Sequence, residues 1–257
     1  MRRAAALAFG VISYAIFFVT FLYLVGFIGN LIVPKSIDSG VAGPVGRAML
    51  VNTLLLLAFG VQHSVMARPG FKAWWTRFVP RPIERSVYTL ASSVALIALV
   101  VFWQPIPQAV WAAEGFLATL LTAGLLSGVG LVLLSTFLID HFDLFGLRQT
   151  WLYFRGRAYE EKRFTTPLLY KWVRHPLYIG WFMTVWITPT MSAGHMLLAL
   201  VMTSYILIAI PLEESDLLRA LGEPYRRWRE QTPLFVPRLG TSASPARSAE
   251  ARTAESH

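Results

Sequence analysis

Long apolar runs dominate this sequence and limit what the chain can fold into. Four of them are close to the roughly 20 residues that an α-helix needs to cross a bilayer, at residues 4–33, 48–65, 86–103 and 116–139. A fifth run, at residues 177–212, is about twice that length and is interrupted by Thr-Pro-Thr and Ser-Ala-Gly. Because Pro and Gly end helices and favour turns, we interpret it as two antiparallel helices. The pattern predicts an all-α, polytopic membrane bundle of about five to six transmembrane helices, the last two forming a hairpin.

The composition agrees with a membrane protein. Hydrophobic residues make up 55% of the chain and the mean hydropathy is +0.53, which is more apolar side chain than a soluble domain can bury. The formal net charge is +9, but most basic residues lie between the apolar runs. There they favour contact with anionic lipid headgroups, and we expect no binding of nucleic acid. Cysteine is absent, which excludes disulfides, a thiolate nucleophile and a Cys-based zinc site.

The basic residues also predict the orientation of the bundle. The loops at residues 68–85 and 140–174 are rich in Arg and Lys, whereas the loop at residues 104–115 contains a single charged residue. By the positive-inside rule the two basic loops face the cytoplasm. We therefore expect six crossings with both termini cytoplasmic, which requires the loop at residues 34–47 to lie outside although it contains two basic residues.

The segment Arg174-His175-Pro176-Leu-Tyr178-Ile-Gly180 opens the predicted hairpin. Pro is favourable in the first turn of a helix, and the free backbone N–H groups of a helix start attract anions such as a ligand carboxylate. Gly180 would let a ligand approach the backbone closely. An interfacial anchor of Arg, His and Tyr explains these residues equally well.

Glu213 and Glu214 end the predicted hairpin. Adjacent carboxylates repel each other, and unlike Lys and Arg they do not anchor a helix end at the cytoplasmic face. They could instead accept hydrogen bonds from a ribose or an amine, or pair with Arg174. The alternative is a solvated helix end. The next segment predicts a short amphipathic helix on the membrane surface, on which Tyr225 and Arg229 share a face. That face could close a pocket over the carboxylates or merely lie on lipid.

His141, Asp143 and Arg148 follow the fourth apolar run. A His–carboxylate pair can transfer a proton, and Arg148 nearby would favour an anion; the alternative is helix capping by Asp143. Two candidate ligands without further partners are weak support for a metal site, and we predict none. His63, at the end of the second run, could reach the same side of the membrane.

These motifs resemble those of the membrane methyltransferases typified by isoprenylcysteine carboxyl methyltransferase and the bacterial phospholipid methyltransferases. In that group an Arg-His-Pro-x-Tyr-x-Gly motif, a helical hairpin, a Glu-Glu pair and a following helix with Tyr and Arg enclose S-adenosylmethionine at the cytoplasmic face. Residues 174–180, 213–214 and 225–229 match this pattern in order. A closer resemblance is to the methanethiol S-methyltransferases, which make dimethyl sulfide, and is carried by residues 30–39, 62–70, 81–86 and 141–149.

The resemblance implies transfer of a methyl group from S-adenosylmethionine to a small thiol at a bacterial inner membrane, without an obligatory protein partner. His141 and Asp143 would take or orient the thiol proton, with Arg148 favouring negative charge. The cofactor pocket at the cytoplasmic face would be built from Arg174, His175, Pro176, Tyr178, Gly180, Glu213, Glu214, Tyr225 and Arg229. The thiol slot would be lined by His63, Phe142, Phe145 and Trp181.

Other functions stay open at this point. A methyltransferase of the same fold could act on a prenyl-cysteine carboxylate, a phospholipid amine or a larger thiol, and a membrane reductase could use a nicotinamide cofactor. A transporter is disfavoured, since no charge lies in the middle of a span. Residues 239–257 are small and polar without apolar periodicity and predict a disordered tail, which leaves residues 1–238 as a single integral-membrane domain.

Overall fold

The computed structural model describes residues 1–160 and 164–237, so the tail predicted at residues 239–257 lies outside the described residues. Within the described part, five helices are long and apolar enough to cross a membrane, which confirms the polytopic helical bundle. In chain order the helices are α1 (Arg2–Gly29), α2 (Val45–Ala67), α3 (Pro69–Trp75), α4 (Arg81–Phe102), α5 (Gly115–Ile139), α6 (His141–Leu144), α7 (Leu147–Phe154), α8 (Pro176–Trp186), α9 (Ala193–Leu221) and α10 (Glu223–Gln231). The candidate spans are α1, α2, α4, α5 and α9.

Proline and residues with positive φ set several helix boundaries. A proline stands in the first two positions of α3, α4, α8 and α10, where its missing N–H needs no partner. Asn30 ends α1 with φ 50°, and Gly222 separates α9 from α10 with φ 64°. The positive φ at these two positions stops each helix and turns the chain, with Asn30 in the left-handed αL conformation.

The predicted hairpin is formed by α8 and α9, but α8 is shorter than a span. It has 11 residues, about 16 Å of helix at 1.5 Å per residue, whereas α9 has 29. The chain between the two helices forms strand β2 (Thr190–Ser192), which pairs antiparallel with strand β1 (Ala109–Ala112) in the α4–α5 loop. The segment between the end of α8 and the start of α9 is therefore extended chain and not a continuation of the helix.

The three loops expected outside lie together at one end of the bundle. β1 and β2 join the α4–α5 loop to the hairpin turn. The α1–α2 loop contacts the end of α4, where Trp103 donates from Nε1 to the carbonyl of Ile37 at 3.0 Å. At the opposite end, Arg3 lies 5.8 Å over the ring of Tyr153 in α7. We call the end with the strands the outer end and the other the inner end.

Glycine brings α5 and α8 into backbone contact. A Cβ on Gly128 would lie 2.8 Å from the carbonyl oxygen of Gly180, and a Cβ on Gly180 would lie 2.8 Å from the carbonyl oxygen of Gly128. Small residues permit this kind of close helix packing in membranes. The close approach that Gly180 allows in this structure is between two helices, and the approach of a ligand to Gly180 stays a prediction.

The apolar core lies towards the outer end of the bundle. Its buried members come from the last turns of α1 and α4 and from the outer parts of α2, α8 and α9, and include Phe27, Leu56, Leu99, Val185 and Leu198. The inner halves of the same helices carry the polar side chains described next. The outer core thereby fixes the helices, and their inner ends are left to form a site.

Candidate active site

Glu214 is the centre of an ion cluster at the inner end. Arg174 Nη1 lies 2.7 Å from Glu214 Oε1, and His175 Nε2 lies 3.1 Å from the same oxygen. Arg229 Nε lies 3.1 Å from Oε2. The Glu214 side chain is only 7% exposed, and a buried carboxylate is costly unless it is paired and hydrogen-bonded. The three donors supply that pairing, and they come from the start of α8 and from α10.

Backbone hydrogen bonds hold these segments in place. The N–H of Arg174 donates to the carbonyl of Pro233 at 2.9 Å, and the N–H of His175 donates to that of Leu234 at 3.3 Å. Pro176 begins α8 directly afterwards. The chain that follows α10 is therefore tied to the chain that enters α8, which brings Arg229 over the carboxylate on α9.

The two adjacent glutamates have different partners. Tyr178 donates its hydroxyl to Glu213 Oε2 at 2.7 Å, while Glu214 receives the three donors described above. Tyr178 also stacks on His175, with ring centroids 5.2 Å apart. The Glu213 side chain is partly buried. Neighbouring positions on a helix point about 100° apart, so one carboxylate faces the ion cluster and the other faces α8.

Tyr225 lies on the buried face of α10 and is 1% exposed. It packs against Phe164 and Trp228, at ring-centroid distances of 5.7 and 5.4 Å. Burial raises the pKa of Tyr225 to about 12, and the nearby charge of Glu214 adds to the effect. Of the two alternatives for the Tyr225–Arg229 face, the structure adopts the one that covers the carboxylates.

A cavity adjoins this cluster. Its volume is about 440 Å³ and its lining residues are Arg174, Leu218, Arg226, Arg229 and Glu230. Ligand sites commonly measure about 300 to 1,000 Å³. Within the described residues, Arg174 Nε is buried and has no hydrogen-bond partner. A buried donor of this kind is costly unless an acceptor reaches it, so the cavity offers a place for an anionic group.

His141 is 2% exposed, and both of its ring nitrogens form hydrogen bonds with residues other than Asp143. Thr136 Oγ1 donates to the carbonyl of Leu133 at 2.7 Å, so it accepts from His141 Nδ1 at 2.8 Å. His141 Nε2 then accepts from the hydroxyl of Tyr14 at 2.8 Å. Burial lowers the pKa of His141, and this neutral arrangement explains how the imidazole is accommodated.

Asp143 is held between two arginines. Arg148 Nη1 lies 2.9 Å from Oδ1, and Arg85 Nη1 lies 3.0 Å from Oδ2. Tyr159 donates its hydroxyl to Oδ2 at 3.2 Å. The hydrogen bond to Asp143 raises the pKa of Arg148. His141 and Asp143 thus have separate partners and are not hydrogen-bonded to each other in the structure. The catalytic roles of His141, Asp143 and Arg148 stay predictions.

His63 belongs to a third cluster, between α2 and α4. The Tyr88 hydroxyl lies 3.0 Å from the His63 ring nitrogens, and Ser92 Oγ lies 3.2 Å from His63 Nδ1. On the next residue of α2, Ser64 donates to the hydroxyl of Tyr205 on α9 at 3.1 Å. Tyr88 lies within electrostatic range of Glu213, so this cluster adjoins the glutamate pair.

An aromatic row connects two of the residues predicted to line a thiol slot. Phe145 stacks on Phe17 at 3.9 Å, Phe17 contacts Phe21 at 6.2 Å, and Phe21 meets the edge of Trp181 at 6.4 Å. Phe142 is 49% exposed and lies outside this row. The row extends across α1 from α6 to α8, below the outer core.

Several residues of these clusters were missed by sequence reasoning. Tyr88 and Tyr205 lie inside apolar runs, where a tyrosine resembles an interfacial aromatic. Arg85 was counted only as a basic loop residue. A usable signal was the row of small polar residues on α4, since Ser86 and Thr89 both donate towards the α6–α7 corner, to the carbonyls of residues 146 and 145.

Comparison with known proteins identifies the family. The chain is 50% identical over 237 residues to methanethiol S-methyltransferase 2 of Bradyrhizobium diazoefficiens, with 92% of each chain covered. It is 48% identical over 240 residues to methanethiol S-methyltransferase of Mycobacterium tuberculosis, with 92% of this chain and 98% of the relative covered. The chain belongs to the methanethiol S-methyltransferase family. Nurim of Sus scrofa is more distant, at 31% identity over 173 residues, with 63% of this chain and 65% of Nurim covered. No protein-family model matches the chain, and no solved structure does.

Membership of the methanethiol S-methyltransferase family confirms the resemblance inferred from the sequence. Most residues that the resemblance assigns to the cofactor meet at the inner end: Arg174, His175, Tyr178, Glu213, Glu214, Tyr225 and Arg229. Pro176 starts the helix that carries Tyr178, and Gly180 packs against α5. Their role in binding a cofactor stays a prediction.

Proposed function

We propose that this chain transfers the methyl group of S-adenosylmethionine to methanethiol, which yields dimethyl sulfide and S-adenosylhomocysteine. Relatives with 46–50% identity bear the name methanethiol S-methyltransferase. The observation that carries the proposal is the Glu214 cluster on α9, because side chains that the family resemblance assigns to the cofactor converge on it from two other segments, the start of α8 and α10. We further propose that the inner end faces the bacterial cytoplasm, in agreement with its many basic residues.

The residues present fit S-adenosylmethionine. The methionine part of this molecule has a carboxylate and an ammonium group, and its ribose has two hydroxyls. Arg174 Nε, buried beside the cavity of about 440 Å³, suits the carboxylate. Glu213, which accepts one hydrogen bond from Tyr178, has acceptor capacity for a hydroxyl or an ammonium group.

S-adenosylmethionine supplies, when bound, a methyl group already activated by a positively charged sulfur. The protein then has to hold the acceptor in line with that methyl group and to exclude water. The aromatic row from Phe145 to Trp181 provides an apolar wall that reaches α8, the helix that also carries Tyr178. In a slot that fits methanethiol, each additional methylene should reduce kcat/KM by about 10- to 200-fold.

The proposal is tested by measuring dimethyl sulfide in the headspace above purified protein in detergent, supplied with S-adenosylmethionine and methanethiol. We expect sulfide from the intact chain and a strong loss with His175→Gln. His195→Gln is the matched control, since His195 lies near the outer end and bonds the carbonyl of Val185. Binding of S-adenosylmethionine without sulfide would show that the acceptor is wrong, and absence of both from a folded sample would contradict the methyltransferase function.

A groove on the outside of α2 favours one alternative, a lipid acceptor. The groove has a volume of about 590 Å³ and a mainly aliphatic lining that includes Leu57, Val61 and Phe71. Leu57 and Val61 are 50% and 60% exposed, so the groove is open to the surrounding acyl chains. A second assay measures release of S-adenosylhomocysteine with phosphatidylethanolamine in place of the thiol. Release under these conditions would show a lipid acceptor, and its absence would support the thiol.

A further inference from the structure

His63 and Tyr88 form a hydrogen-bonded pair that the proposed function has not yet used. The Tyr88 hydroxyl lies 3.0 Å from the His63 ring nitrogens, and Ser92 Oγ lies 3.2 Å from Nδ1. The ring of Phe59 stacks on the imidazole, with ring centroids 5.3 Å apart. An imidazole that is hydrogen-bonded to a tyrosine hydroxyl can accept a proton through that hydroxyl.

The pair lies next to the glutamates of the candidate site. Tyr88, Tyr178 and Tyr205 are within electrostatic range of one another and of Glu213. The Tyr178 hydroxyl donates to Glu213 at 2.7 Å. The end of α2 that carries His63 contacts α9 on both sides of the glutamates, through Ser64–Tyr205 at 3.1 Å and Arg68–Asp216 at 2.8 Å. A small acceptor that reaches the methyl group of a cofactor beside Glu213 would therefore be near Tyr88.

The reaction requires a proton to leave the acceptor. Thiols of this kind are largely protonated at neutral pH, as free cysteine with a pKa of about 8.5 illustrates, and the thiolate is the nucleophile. His141 and Asp143 are poorly suited to take the proton. Both ring nitrogens of His141 are hydrogen-bonded, to Thr136 and Tyr14. Both carboxylate oxygens of Asp143 are occupied by Arg148, Arg85 and Tyr159.

Acidic and basic groups both lie around His63 and Tyr88. The titratable groups that act on this pair or on its neighbours are Glu84 on α4, Arg68 on α2, Tyr178 on α8, and Tyr205, Glu213 and Asp216 on α9. Arg68 pairs with Asp216 at 2.8 Å. Asp216 thereby compensates Arg68, and Glu84 and Glu213 are the acidic groups that act on Tyr88.

We propose that Tyr88 contacts the thiol and that His63 receives its proton through Tyr88; this inference rests on the proposed function. The S–H bond breaks as its proton moves to Tyr88 Oη, and the original hydroxyl proton of Tyr88 moves to a ring nitrogen of His63. The electron pair left on sulfur forms the bond to the methyl carbon, whose bond to the donor sulfur breaks. His63 afterwards returns the proton to water at the inner end.

The test compares the variants His63→Gln and Tyr88→Phe with the intact chain. At pH 7 each variant should lose about 100-fold in kcat with methanethiol, within the range of general acid–base catalysis. Affinity for S-adenosylmethionine, measured by calorimetry without thiol, should change by less than about twofold, because neither residue holds the cofactor. Tyr23→Phe is the matched control at the outer end, where Tyr23 contacts the backbone of Lys35, and it should leave kcat unchanged.

Thiol acidity separates proton transfer from a purely structural role. With 2,2,2-trifluoroethanethiol, which is more acidic than ethanethiol and similar in size, the loss in both variants should shrink at least about tenfold relative to ethanethiol. For methanethiol the ratio of intact to variant rates should likewise fall as the pH is raised from 7 to 9, because solution thiolate replaces the missing base.

A loss that is equal for both thiols and constant with pH would overturn the inference, as would full activity of either variant. If His63→Gln does not fold, Tyr88→Phe decides alone, since it removes one hydroxyl. The outcome is distinguishable from a failure of the proposed function: absence of sulfide from the intact chain refutes the function, whereas sulfide from the intact chain with unaffected variants refutes only the proton path.

Discussion

The adjacent residues Glu213 and Glu214 should differ sharply in what they contribute to stability. Glu214 accepts three donors, two of which belong to mostly buried side chains, Arg174 at 16% and His175 at 7% exposure. The third, Arg229, is 42% exposed, so solvent screening reduces its contribution. Glu213 accepts a single hydrogen bond, from Tyr178.

The magnitude follows from these partners. Removal of one member of a buried ion pair typically costs about 3 to 5 kcal/mol, because the opposite charge is left buried. Gln at position 214 still accepts one hydrogen bond and Arg229 is partly solvated, so we expect the lower limit, about 3 kcal/mol, for Glu214→Gln. Glu213→Gln keeps an acceptor for Tyr178 and should cost no more than about 1 kcal/mol.

The assay is thermal unfolding of each purified variant in the same detergent. For a chain of this size 1 kcal/mol corresponds to about 2 to 4 °C in Tm, so Glu214→Gln should lower Tm by about 6 to 12 °C and Glu213→Gln by no more than about 4 °C. Equal shifts for the two variants, or a larger shift for Glu213→Gln, would refute the assignment of the ion cluster to Glu214.

Three further predictions concern other parts of the fold. Because burial lowers the pKa of His141 below its ordinary value of 6.5, the unfolded chain binds a proton first; Tm should therefore fall as the pH drops below about 6.5, and less so in His141→Gln. Gly128→Val should lower Tm strongly by separating α5 from α8, whereas Gly130→Val, at a position where a Cβ has open space, should change it little. Asp143→Asn leaves two arginines without their carboxylate and should expose the α6–α7 corner to limited proteolysis, detected as faster cleavage after Arg155.

The sequence was sufficient to predict the membrane-spanning helices, but not the short length of α8 in the hairpin. Each of the other runs was close to the length of a bilayer crossing, and length with apolarity is what that prediction requires. Residues 177–212 were uniformly apolar as well, so composition could not distinguish a full span from the 11-residue α8 followed by extended chain. The strand pairing of β2 with β1 depends on residues about 80 positions apart.

The angular spacing of side chains around a helix explains which of the predicted site residues contact each other. His141 and Asp143 are two residues apart, and once residues 141–144 form a helix side chains at i and i+2 do not face each other. The same geometry sends Glu213 and Glu214 to different partners. Tyr225 and Arg229, at the i, i+4 spacing, were correctly placed on one face. Proximity in sequence therefore predicted which residues gather at the inner end, and helical phase determined which of them touch.

The two ion clusters at the inner end are built alike, and this accounts for part of the positive charge of the chain. Glu214 and Asp143 each bind two arginines and one further donor, His175 or Tyr159. Each set of one carboxylate and two guanidinium groups carries a net positive charge, so it both ties loops to helices and attracts an anionic group. Buried pairs are screened little by salt. The outer end is held together mainly by apolar packing, so these two charged clusters are concentrated at the end that carries the candidate site.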